Sequence, residues 1–75
     1  MSDFIEGETL QGEVLAFDEH VGLGEIETKD ERLLPFHCIN IADGTRKIAL
    51  HAKVEFKVHF HPRGRYEAVE IYSVT

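Results

Sequence analysis

Val54, Phe56, Val58 and Phe60 alternate with Glu55, Lys57 and His59, a strict two-residue period over seven positions. That period marks a strand with one face on a core and the other in water. Pro62-Arg63-Gly64 then reads as a hairpin turn, and Tyr66 to Val74 as the returning strand. Upstream, Leu10 to Phe17 is a first strand with a less regular pattern. Leu10, Gly12, Val14 and Ala16 are expected to face the core, and Gln11 and Glu13 the water. Leu15-Ala16-Phe17 breaks the alternation, which calls for a bulge or a covered outer face. Leu23 to Thr28 forms a second strand, closed by the polar turn Lys29-Asp30-Glu31. Leu33 to Cys38 forms the third, with Leu34 and Phe36 inward and Pro35 and His37 outward. Proline has no N–H to donate, so Pro35 belongs at an edge or a position without a ladder bond. Ile39 to Leu50 is the longest connection and carries the turn signal Ala42-Asp43-Gly44.

These elements fit one domain at residues 9–75, preceded by a tail at residues 1–8 in which Phe4 and Ile5 dock back. Seventy-five residues build one thin core, because a chain of this size buries only about 60% of its unfolded surface. A closed five-stranded antiparallel barrel suits such a chain, since closure removes exposed edges. The expected core is Val14, Ile26, Phe36, Val54, Phe56, Val58 and Ile71, the inward members of the strands.

Charge is unevenly spread. The net charge of −6 splits into −9 over residues 1–31 and +3 over residues 32–75. The basic half holds Arg32, Arg46, Lys47, Lys53, Lys57, Arg63 and Arg65, with four of the five histidines. Nucleic-acid binders carry a basic footprint, and this chain has half of one. No apolar run is long enough to span a membrane. The acidic start, Met1 to Glu6, lacks the basic region of a signal peptide, and the single Cys38 permits no internal disulfide. Both point to the cytoplasm.

Gly12 to Ile26 reads GEVLAFDEHVGLGEI. It resembles the opening of a cold-shock domain, G-x-V-x-x-F-[DN]-x-x-x-G-x-G-x-I. The resemblance extends from about Gln11 to Ile71. Ile41, Arg46 and Ile48 match the I…R-x-L positions of the long connection, and Ala68 and Ile71 the terminal A-x-x-V. His51 stands where the family usually has a turn glycine. The resemblance implies an all-β, five-stranded antiparallel OB-fold barrel that binds single-stranded RNA or DNA. It also implies a wider role as an RNA chaperone or a regulator of transcription or translation.

The binding face that the resemblance implies is depleted. Where the family reads V-K-W-F on strand one, this chain has Val14-Leu15-Ala16-Phe17. The two phenylalanines of K-G-F-G-F-I become Leu23 and Glu25, and F-V-H-F becomes Pro35-Phe36-His37-Cys38. Each base–aromatic stack contributes roughly 1–3 kcal/mol, so losing three weakens binding by about two orders of magnitude or more. What remains for a strand is Phe17, His37, Lys57, His59, Arg63, Arg65 and Tyr66. Phe17 offers a ring edge, and Tyr66 beside Arg65 a replacement ring. Lys57 and His59 share an outer face, which His61 joins if the strand continues, and Arg63 and Arg65 sit at a loop tip suited to phosphate. The blander account is a solvated, charged hairpin. A rival function is a homodimer or protein contact through an apolar patch of Leu15, Leu23, Pro35 and Cys38, unless Phe4 and Ile5 cover it.

Catalysis and metal binding find little support. His37 and Cys38 are neighbours on a strand and are expected to point apart. His59 and His61 are two ligands, short of the four of a structural zinc site. Paired carboxylates, a phosphate loop and an activated nucleophile are all lacking. The expectation is a binding protein without catalytic residues, metal or cofactor.

Overall fold

The computed structural model describes residues 4–44 and 47–74; Arg46 lies outside them. Five strands follow in chain order: β1 (Thr9–Asp18), β2 (Leu23–Thr28), β3 (Leu33–His37), β4 (Lys53–His61) and β5 (Arg65–Ser73). A short 3-10 turn, Cys38–Asn40, follows β3. All pairings are antiparallel and form one sheet in the order β3-β2-β1-β4-β5. β1 is the spine. Its first half pairs with β4 from Thr9 to Glu13, and its length from Gly12 to Asp18 pairs with β2. The sheet curls until its end strands, β3 and β5, pack together. Among the described residues no ladder joins β3 to β5; a single parallel bridge, Ile41 to Ile71, links the segment after β3 to β5.

The core lies inside the curl. Val14, Ile26, Leu34, Phe36, Ile41, Val54, Phe56, Val58, Ala68 and Ile71 are buried there, and all seven residues expected from the strand pattern are among them. Two bulges set the register. β1 carries one extra residue between Val14 and Ala16, so Leu15 and Ala16 both face outward. Ala16, expected inward, is therefore exposed, and the apolar run at Leu15 is explained. In β5, Glu70 takes a left-handed φ of 50° opposite a register shift between Glu55 and Lys57. That extra residue lets Ala68 and Ile71, three apart, both reach the core.

The segment before β1 is tied down on one side only. Phe4 packs against the core cluster, whereas Ile5 stays 69% exposed and is not docked. Gly7 N–H donates to Val58 O at 2.7 Å, and Val58 N–H to Glu8 O at 2.9 Å. Phe60, expected inward, is 46% exposed because β4 runs past the core at its hairpin end.

Candidate nucleic-acid interface

Pairing across β1, β2 and β3 assembles an outer face in rows. Ala16, Glu25 and Pro35 are register partners in one row, and Asp18, Leu23 and His37 in the next. Ala16, Leu23, Glu25 and Pro35 stand where the cold-shock resemblance implies aromatic rings, and His37 where it implies a histidine. Here the two rows present a methyl group, two carboxylates, an aliphatic chain, a proline and one imidazole. Leu23 is 52% exposed.

His37 also lines a cleft of about 320 Å³ between this face and the β4–β5 hairpin. His61, Arg63 and Arg65 line its other side, with Glu67 as the one acid and Leu23, Pro35 and Ile39 as apolar wall. His61 and Arg65 are register partners at the end of the hairpin, which is why they share this wall. Each histidine is held by a backbone N–H two residues on. Ile39 N–H donates to His37 Nδ1 at 3.2 Å, and Arg63 N–H to His61 Nδ1 at 3.1 Å. A neutral imidazole that accepts at Nδ1 carries its hydrogen on Nε2. Both rings are thereby set as Nε2–H donors, beside two guanidinium groups that have no carboxylate partner among the described residues. Four donors around one acid suit an oxyanion such as phosphate.

A larger cleft of about 520 Å³ lies along Glu13, Glu27, Glu31, Lys29 and Lys53. Three carboxylates against two ammonium groups make it a poor place for phosphate. Glu13 is already committed, with Lys53 Nζ at 2.6 Å and His51 Nδ1 at 2.8 Å. These two contacts, Lys53 first, hold its carboxyl below the usual range.

Of the residues proposed from sequence, only His37, Arg63 and Arg65 meet in the cleft. Phe17 faces the inner side. The bulge at Leu15 shifts it by one position, and its ring stacks on Phe36. Tyr66 is also inward, in edge contact with Phe60 at 5.0 Å and tilted against Phe4 at 5.6 Å. It is no free platform beside Arg65, because successive strand residues point to opposite faces. Lys57 and His59 do lie on the outer side with His61, but along a strand Lys57 is about 13 Å from His61. Lys57 faces Glu70 at 3.9 Å, and His59 Nδ1 faces Glu6 at 3.2 Å.

β4 continues to His61, so His61 joins the outer face as the strand pattern allows; Asn40 is the polar cleft member that no sequence pattern marks. Cys38 is not part of an outer apolar patch. β3 ends at His37, and Cys38 turns into the 3-10 segment, half-buried against Gly22. That turn also brings the thiol 3.7 Å from His37 Nδ1, so the two neighbours do not point apart as a continued strand would require. The same nitrogen already accepts the Ile39 N–H. Among the described residues no cluster of histidine, cysteine and acids is placed to hold a metal, and no helix is long and apolar enough to cross a membrane.

No protein-family model matches this chain, and no curated protein does. The fold is nonetheless cold-shock-domain-like. It matches the solved structure of Drosophila Unr CSD456 with a TM-score of 0.75 and 26% sequence identity. The match covers 92% of this chain and 28% of that one, so the chain spans little more than a quarter of the protein it resembles.

Proposed function

We propose that this cold-shock-like domain binds single-stranded RNA or DNA, weakly and with low sequence preference, through the cleft between β3 and the β4–β5 hairpin. The observation that carries this reading is the convergence of His37, His61, Arg63 and Arg65 on one cleft. Phosphate contacts carry no sequence information, and the outer face next to the cleft has lost its stacking rings, so both affinity and selectivity are low. Acting as an RNA chaperone or as a regulator of transcription or translation, in the cytoplasm and without catalysis, fits such a binder.

The test is a titration of a labelled oligo-pyrimidine at low salt with wild type and Arg63→Ala/Arg65→Ala. Binding should weaken in the double variant, and log affinity should fall with log salt at about −0.7 per phosphate contacted. Equal affinity of the two proteins would remove the cleft from the assignment.

A second reading has its own support. Leu15 and Leu23 are 36% and 52% exposed on the outer side that also carries Pro35. An apolar surface of this kind suits a homodimer or a protein partner. Light scattering over a concentration series separates it from the first: a mass that rises with concentration favours the contact surface, and a constant monomer mass counts against a homodimer.

A further inference from the structure

The β1–β4 ladder ends at Thr9 and Lys57, yet β4 continues to His61. The edge of β4 beyond Lys57 would expose backbone donors. The segment before β1 covers it, first with backbone and then with a side chain. Val58 N–H goes to Glu8 O, but Phe60 N–H goes to the Glu6 carboxylate, at 2.6 Å. The other oxygen of Glu6 meets His59 Nδ1 at 3.2 Å. The change from backbone to carboxylate occurs at Gly7, whose φ of +80° turns the chain away.

Two residues before Glu6, the Phe4 ring lies under a guanidinium. Arg32 Cζ sits 4.4 Å from the ring centroid, and Tyr66 tilts against the same ring at 5.6 Å. Arg32 is preset for this role, because Asp30 accepts its Nε–H at 2.9 Å. Arg32 N–H and the Asp30 carboxylate are in turn both tied to the Thr28 hydroxyl.

A planar ring with a guanidinium over its face and a second aromatic tilted at 56° beside it, joined to an anion that takes a backbone N–H and a histidine, has the parts of a nucleotide. Bases stack on arginine planes and aromatic rings, and phosphates accept from backbone N–H and from histidine. We propose that Phe4 and Glu6 occupy a one-nucleotide position on this protein, and that a base and a phosphate of a single strand compete with them for it. The base would take the place of Phe4 under Arg32 and beside Tyr66, and the phosphate that of Glu6 on Phe60 N–H and His59. Residues 4–6 then act as an autoinhibitory latch rooted at Gly7, Glu8 and Val58. The proposal rests on the single-strand reading above but uses a different surface from the cleft.

A site closed nine-tenths of the time shows an apparent Kd about tenfold above its intrinsic value. The full chain with Phe4→Ala/Glu6→Ala should therefore bind a short oligothymidylate at low salt more tightly than wild type, by about tenfold for a latch closed nine-tenths of the time. Adding Arg32→Ala should cancel the gain, which a general loosening of the fold would not predict. Amide NMR separates the two surfaces. In wild type, saturating oligothymidylate should shift the Phe60, His59 and Arg32 amides, as well as those of His37, Arg63 and Arg65.

Shifts at the cleft alone, with no gain in the latch variant, would overturn the latch and leave the cleft standing. A gain that maps to Arg32 and Phe60 with a silent cleft would overturn the cleft and keep the latch. No binding by either protein would overturn both. Should the double variant lose its fold, the wild-type Phe60 amide decides: no shift at saturation overturns the proposal.

Discussion

The Phe17 and Phe36 rings are parallel within 8° with centroids 5.8 Å apart, and Gly24 lies between them as the register partner of both. A Cβ on Gly24 would stand 2.4 Å from Phe36 Cζ and 2.7 Å from Ala16 O. The ring stack and the missing side chain are one feature. Phe17 is part of the wall, and its stack on Phe36 needs glycine at position 24.

Gly24→Ala should therefore destabilise the domain by about 1–3 kcal/mol, the usual cost of overpacking. The clash is with a ring pinned in the core and with backbone, so neither yields cheaply. Urea unfolding at neutral pH measures it. A loss below about 0.5 kcal/mol, the usual range of surface substitutions, would mean that the Phe36 ring has another place to go.

Phe56→Ala removes a fully buried ring at the centre of β4, where Val54 and Val58 flank it on the same face. The expected loss is roughly 3–5 kcal/mol, a large share of what holds a small domain together. A folded variant with near-parental stability would show that the inward register of β4 is wrong.

His51 occupies a left-handed conformation, φ 65°, at the turn into β4. Its backbone N–H donates to Val14 O at 2.7 Å, which pins the turn there, and its ring meets Glu13. A non-glycine residue in this region carries a backbone cost of about 1–2 kcal/mol. His51→Gly should leave stability unchanged or raise it by up to about 1 kcal/mol, while His51→Val should lower it. The pair of thermal melts checks this, and a glycine variant less stable than the valine variant would sink the explanation.

Glu13 links β1 to Lys53 on β4 and to His51, and these contacts depress its carboxyl below the ordinary value of 4.5. A carboxyl lowered in the folded state contributes stability that is fully present above its unfolded value. That stability is lost as pH falls through the folded value. The Tm difference between wild type and Glu13→Gln should therefore be largest near neutrality and shrink below about pH 4.5. Glu6 and Asp30 are depressed in the same direction, so the variant keeps part of its acid sensitivity. A Tm difference that stays constant from neutral pH to about pH 3 would remove Glu13 from the acid response.

The five successive strands, the hairpin and the core are legible because a two-residue period and turn chemistry are local. The sides of particular residues were not. One inserted residue at Leu15 reverses the facing of everything after it in β1. The pattern marks that run as irregular without saying where the extra residue sits, so alternation alone puts Ala16 and Phe17 on the wrong faces. Chain adjacency suggests Arg65 as the neighbour of Tyr66, whereas its ring partners Phe4 and Phe60 come from elsewhere. Nothing in Phe36-His37-Cys38 announces that the His37 ring will cap a turn, so the pattern alone carries the strand on to Cys38. The cleft itself depends on β3 and β5 meeting across the curl, a long-range fact that no local pattern contains.

The outer rows of β1, β2 and β3 allow a direct test of why binding is weak. Ala16 and Glu25 are register partners, and Leu23 lies in the adjoining row beside His37. All three side chains point away from the core, so large rings placed there need not disturb it. Ala16→Trp, Leu23→Phe and Glu25→Phe would rebuild a continuous aromatic surface leading into the cleft, and would remove a carboxylate that repels phosphate. Each stack contributes roughly 1–3 kcal/mol, so even one productive ring gives at least about a fivefold gain and two give more than about tenfold. The gain should appear on single strands and hardly at all on duplex, whose bases are already stacked. A folded triple variant that binds no better would mean that strands do not run along these rows. A drop in its mass relative to the parent by light scattering would then identify the Leu15–Leu23–Pro35 surface as what holds two chains together.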